Sequence, residues 1–153
     1  MKTHILCLGD SNTHGYCADP NDCADHGIRF NEDERWTCRL QKALGDEYLV
    51  TEEGLSGRTT VFVDPIHESM DALSAIYALL KSHEVIDLLI IMLGTNDLKE
   101  HTAQASVNGI GTLIRTIQTF DQLYPASVPL FGDNKPRILV LTPIEIGENV
   151  AEW

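Results

Sequence analysis

The chain is poor in positive charge and has no long apolar run. Only 11 lysines and arginines stand against 23 aspartates and glutamates, a net charge of −12. Nucleic acid and anionic membrane both demand a cationic surface, so neither is expected as a partner. The longest strongly apolar run, residues 88–93, is far too short to span a bilayer. Near the N-terminus the apolar residues 5–8 are too few for a signal-peptide core, and Asp10 follows at once; a cytoplasmic location is expected. Cysteine is scarce. Cys7, Cys17, Cys23 and Cys38 read as free thiols where nothing signals export. One spacing, His14-x-x-Cys17 followed by Cys23-x-x-His26, gathers four metal-competent side chains, but its central gap of five residues is loose for a zinc knuckle, and no metal is expected. Repeats, low-complexity tracts and linker-like stretches are also missing, so residues 1–153 read as one domain. With 43% hydrophobic and 22% charged residues, a chain of this length can bury a core without disulfides or metal.

What is present is an alternation of strand and helix signals. Residues 4–8 are short, apolar and closed by Gly9, which predicts a buried strand. Residues 19–34 are polar and irregular, a long loop. Residues 35–44 set Trp36, Leu40, Ala43 and Leu44 on one helical face, with Gly45 as the stop. Residues 47–51 form a second strand. Residues 71–82 space Leu73, Ile76, Tyr77 and Leu80 for a helix, with Ser69 or Asp71 available as cap. Residues 86–93 are apolar almost throughout, which implies burial on both faces and a central parallel position. Residues 103–123 carry Val107, Ile110, Ile114, Ile117 and Phe120 as the stripe of a long amphipathic helix. After a turn-rich loop over 124–136, residues 137–142 make a fourth strand, and Pro143 opens a short tail. This order predicts an α/β fold with a parallel sheet, in which ligands sit beyond the carboxyl ends of the strands.

Three of those ends carry small polar turns: Gly9-Asp10-Ser11-Asn12-Thr13, Gly54-Leu55-Ser56-Gly57-Arg58-Thr59-Thr60, and Gly94-Thr95-Asn96-Asp97. Each alone is an ordinary turn or helix cap. Together they could build one site. A hydroxyl at Ser11, near a helix N-terminus, could attack an acyl carbon, and backbone N–H groups with the Asn96 amide could meet the developing oxyanion.

The three segments resemble the GDSL, or SGNH-hydrolase, family of esterases and lipases, over residues 1 to about 142. Gly9-Asp10-Ser11 matches the first block, with Ser11 as nucleophile. Leu55-Ser56-Gly57-Arg58-Thr59 matches the second, with Gly57 giving an oxyanion-hole N–H. Gly94-Thr95-Asn96-Asp97 matches the third, with Asn96 giving the oxyanion-hole side chain. Arg35-Trp36-Thr37, the Glu52–Thr60 wording and the Ile90–Asp97 wording are similar to the arylesterase and acyltransferase subgroup. The resemblance implies a flavodoxin-like three-layer sandwich and a serine esterase of small acyl esters, with acyl transfer as a variant and no cofactor.

The family's fourth block, Asp-x-x-His, has no counterpart near the C-terminus. The chain is therefore expected to lack the last strand and helix, and to take its base from a histidine and aspartate outside itself. Asp64-Pro65-Ile66-His67 spells the pattern but follows the second block, and His14 and His101 are weaker candidates still. Low or no activity of this chain alone is expected. The fourth strand would then be an unpaired apolar edge, favouring a homo-oligomer or a complementing C-terminal fragment. A non-catalytic module binding an acyl or carboxylate ligand is the alternative.

Overall fold

Along the first strand, buried side chains alternate between two faces, and the rest of the molecule is arranged around that division. The computed structural model describes residues 1–123 and 127–145. Strands β1 (Thr3–Gly9), β2 (Tyr48–Gly54), β3 (Leu88–Met92) and β4 (Ile138–Val140) form one all-parallel sheet in the order β2-β1-β3-β4. The helices are α1 (Ser11–His14), α2 (Trp36–Leu44), α3 (Ala72–Ser82) and α4 (Ala103–Leu123). Leu6 and Leu8 of β1 and Leu89 and Ile91 of β3 face α3 and α4, packing on Ile76, Leu80, Leu113, Ile117 and Phe120. Ile5, Cys7 and Ile90 point the other way, toward Trp36, Leu40 and Leu44 of α2. This is the three-layer, flavodoxin-like α/β arrangement. No helix among the described residues is long and apolar enough to cross a membrane.

The order β2-β1-β3-β4 makes the chain move outward from β1 in one direction, then cross back to build on the other side. Right-handed crossovers therefore put α2 on one face and α3 and α4 on the other. The reversal lies between β1 and β3, and in open parallel sheets the crevice at that point receives ligands.

Local chemistry explains the element ends. The Asp71 carboxylate accepts from the Ser74 N–H at 2.8 Å, so Asp71 rather than Ser69 caps α3. Gly45 ends α2 at φ 78°. Several expectations shift. Val107 is 63% exposed and lies off the buried stripe of α4, which instead runs through Ser106, Gly109, Leu113, Ile117 and Phe120. Ala43 is likewise exposed on α2. Small residues on the packed face of α4 allow close approach to the sheet end, which a purely apolar pattern does not reveal. The loop over 19–34 contains a 3-10 turn, Pro20–Asp22, capped by Asp19. β2 runs on to Gly54, while β4 is only three residues long, with Leu139 and Val140 exposed at the sheet edge. Part of the predicted loop (124–126) and part of the tail (146–153) lie outside the described residues.

Candidate active site

Register places the three polar turns side by side. Gly9, the last residue of β1, pairs with Gly54 on one side and with Met92 on the other. Ser11, Gly57 and Asn96 follow those three residues within four positions, from strands about 4.8 Å apart. The close approach depends on Gly54: a Cβ there would lie 2.1 Å from the His14 nitrogen and 2.5 Å from the Thr13 carbonyl carbon. Only a residue without a side chain lets α1 settle on the end of β2.

Each turn is built locally. The Asp10 carboxylate accepts from the Asn12 N–H at 2.9 Å and so caps α1, whose first residue is the half-buried Ser11. The Arg58 N–H donates to the Leu55 carbonyl at 3.0 Å, closing a turn with Gly57 at φ 86°, a conformation glycine adopts without strain. Asn96 opens the 3-10 turn Asp97–Lys99.

Two buried residues lock the turns together. The Arg58 guanidinium donates to the carbonyls of Gly9 (3.2 Å) and Glu53 (2.5 Å), while the Arg58 carbonyl accepts from the Asn96 amide at 3.1 Å. Asp97 is fully buried and accepts from the Thr60 N–H (2.9 Å), the Thr60 hydroxyl (2.7 Å) and the Ser106 hydroxyl (2.7 Å). Three groups stay uncommitted among the described residues: the Ser11 hydroxyl, the Gly57 N–H and the second Asn96 amide hydrogen. Gly57 and Asn96 also line a cavity of about 210 Å³ with Phe62, Asp64, Met70 and His101; Ser11 is not among its lining residues.

Burial raises the Asp10 carboxyl above its ordinary value near 3.8, and nearby Asp97 pushes the same way against the Asn12 hydrogen bonds. One of its oxygens, Oδ2, is buried without a partner among the described residues. Burial also weakens the basicity of Arg58, opposed by Glu53 and Asp10. A carboxyl whose folded pKa is raised takes up protons on folding, so its contribution to stability is complete below about 3.8 and is lost as pH rises through the folded value. Asp10→Asn keeps the cap acceptor and removes the charge. It is expected to gain stability over the parent chain as pH rises above about 3.8 and to hold that gain at neutral pH. Urea melts of both chains from pH 4 to 7 check this; equal pH slopes would refute it.

The four metal-competent side chains do not meet. Cys17 and Cys23 are buried, but their thiols donate separately to the Asp19 carbonyl and the Asp25 carboxylate, and the His26 ring bonds the Pro20 carbonyl. Among the described residues no group of three or more histidine, cysteine or acidic side chains could hold a metal. The polar loop spends these groups on its own folding. Of the histidines weighed as bases, His14 ends α1 and its carbonyl accepts from Arg29. His67 is largely exposed, 3.3 Å from the Asp64 carboxylate. His101 stacks on Phe62 at the cavity wall. None hydrogen-bonds Ser11 among the described residues.

Sequence reasoning gave no role to Asp97, Thr60, Ser106 or Phe62. Asp97 stands beside Asn96 in the third turn, which is a usable signal. Thr60 and Ser106 meet it only through the fold.

Among solved structures, the inhibitor-bound M. smegmatis aryl esterase is 34% identical, with a TM-score of 0.76 over 92% of this chain and 64% of that one. A carbohydrate acetylesterase family member from Sinorhizobium meliloti is 34% identical, with a TM-score of 0.80 over 99% of this chain and 67% of that one. The SGNH-hydrolase esterase AlinE4, 22% identical with a TM-score of 0.60 over 92% of this chain and 58% of that one, shares the fold. The chain thus spans 58–67% of the length of these three solved chains. No curated protein sequence matches it. The sequence profile of one family, described as GDSL-like lipase/acylhydrolase, matches residues 7–150. With that match covering nearly the whole chain, and an aryl esterase and a carbohydrate acetylesterase family member sharing its architecture at 34% identity, the chain belongs to the GDSL-like lipase/acylhydrolase family.

Proposed function

We propose that the protein is a serine esterase acting on esters of small acyl groups, with Ser11 as nucleophile and Gly57, Asn96 and the Ser11 N–H as oxyanion donors. The observation that carries this reading is the set of three uncommitted groups on turns from adjacent strands, tied by Arg58. The Ser11 oxygen attacks the ester carbonyl carbon, and its proton passes to a base. The tetrahedral oxyanion takes hydrogen bonds from the Gly57 N–H and the Asn96 amide. The alcohol leaves with that proton, and water releases the acyl group from Ser11; an alcohol in place of water gives acyl transfer. The base is a histidine oriented by an aspartate, both outside this chain, as on a complementing fragment. Neither metal nor organic cofactor enters these steps. The aryl esterase and carbohydrate acetylesterase neighbours support an ester as the substrate class.

A fluorophosphonate probe tests the nucleophile. Supplied with the complementing C-terminal fragment that carries the base, the chain is expected to label at Ser11, located by peptide mass spectrometry, and Ser11→Ala with the same fragment is expected not to label. Equal labelling of both chains, or equal hydrolysis of p-nitrophenyl acetate by both, would falsify the mechanism. Binding of short carboxylates with no labelling of the complemented parent chain would favour a non-catalytic module.

A further inference from the structure

The cavity beside Gly57 and Asn96 has a wall that the mechanism does not use. The rings of Phe62 and His101 stack with centroids 3.7 Å apart and planes 18° from parallel. Each half is held from the site itself. The Thr59 hydroxyl donates to the Phe62 carbonyl at 2.6 Å, two residues beyond Gly57, and the His101 N–H donates to the Asp97 carbonyl at 2.8 Å, beside Asn96. Val63, Pro65 and Met70 with the Phe62 ring make the apolar part of a mixed lining, to which Asp64, Lys99 and Glu100 bring charge.

We propose that this cavity receives the acyl group of the ester and that the Phe62–His101 stack is the specificity-determining stop for acyl length. The inference rests on the proposed esterase reading and deepens it. With the carbonyl oxygen between Gly57 and Asn96, the carbonyl carbon stands at the cavity mouth. Two substituents leave that carbon. The alcohol must collect a proton and depart, so it needs the open side. The acyl group stays bound through both steps and gains from apolar walls. The volume of about 210 Å³ is enough for a short acyl chain. A longer chain meets the stacked rings and the charged side chains beside them, where an apolar group loses its gain.

The test compares p-nitrophenyl acetate, butyrate and hexanoate with the parent chain, Phe62→Ala and the exposed-site variant His101→Ala, each supplied with the complementing C-terminal fragment that carries the base. The hexanoate-to-acetate ratio of kcat/KM is expected to rise about tenfold in either variant, the scale of a methylene or two admitted to an apolar pocket. Sodium butyrate and sodium hexanoate, titrated by calorimetry, give a second readout without turnover. Hexanoate should bind the parent chain more weakly than butyrate, and the variants should reverse that order. Ratios within twofold of the parent in both folded variants, with Ser11 labelling intact, overturn the stack as the stop and leave the nucleophile standing. Hydrolysis that survives Ser11→Ala overturns the esterase reading instead, and the carboxylate order then decides the cavity alone.

Discussion

Asp97→Ala is expected to destabilise the protein by about 3 kcal/mol or more, the scale of breaking a buried hydrogen-bond network and orphaning a backbone donor. The carboxylate is fully buried and accepts three hydrogen bonds, one from the Thr60 backbone and two from the hydroxyls of Thr60 and Ser106. Alanine leaves the Thr60 N–H with no acceptor in a site that water does not reach, and an orphaned buried donor costs more than a satisfied one contributes. The two hydroxyls can turn to other partners, so the backbone N–H sets the lower bound. At this chain length the loss corresponds to a Tm lower by about 10 °C. Asp97→Asn retains one acceptor for the Thr60 N–H, and its amide hydrogens can be accepted by the hydroxyls; about half the loss is expected. Thr60→Val, which deletes a single hydroxyl, is expected to cost about 1 kcal/mol. Chemical denaturation of the three variants measures all of this. A loss below about 1 kcal/mol in Asp97→Ala would show that the network is not closed as described.

The second large effect falls on turnover. Asn96→Ala is expected to lower kcat by about 10²–10³-fold with little change in KM, the range for deleting one oxyanion-hole donor. The amide has two hydrogens. One is committed to the Arg58 carbonyl at 3.1 Å, which holds the side chain in one orientation. The other is then free to meet charge that appears only in the transition state, and an interaction made only there changes kcat rather than KM. Asn96→Asp keeps the shape but loses both donors and adds a negative charge where an oxyanion forms, so it should be at least as impaired. Initial rates on p-nitrophenyl acetate for both chains complemented with the C-terminal fragment that carries the base, with the rate constant for fluorophosphonate labelling as a second measure, settle the matter. A kcat within twofold of the parent, in a folded Asn96→Ala chain, removes Asn96 from the oxyanion hole.

The two residues sit side by side with different duties, and letters alone do not separate them. Asn96 stands out in the sequence because a primary amide in a glycine-containing turn after a buried strand is suited to an oxyanion donor. Asp97 looked like its neighbour's companion, since its partners lie 37 and nine positions away. Arg58 likewise has no separate role in the sequence pattern, and only the fold buries it against the carbonyls of Gly9 and Glu53.

The strands, three long helices and their parallel arrangement were written in the sequence, because apolar period and turn residues act over a few positions. So were the three polar turns, since each is a local feature at a strand end. Only the tertiary structure decided that Gly9 would pair with both Gly54 and Met92, bringing those turns to one place. It also decided that Val107 would face solvent, and that Phe62 would stack on His101. Register and ring stacking join residues far apart in the chain, and no local pattern carries the energy of a contact whose partner is set by the closing of the whole sheet.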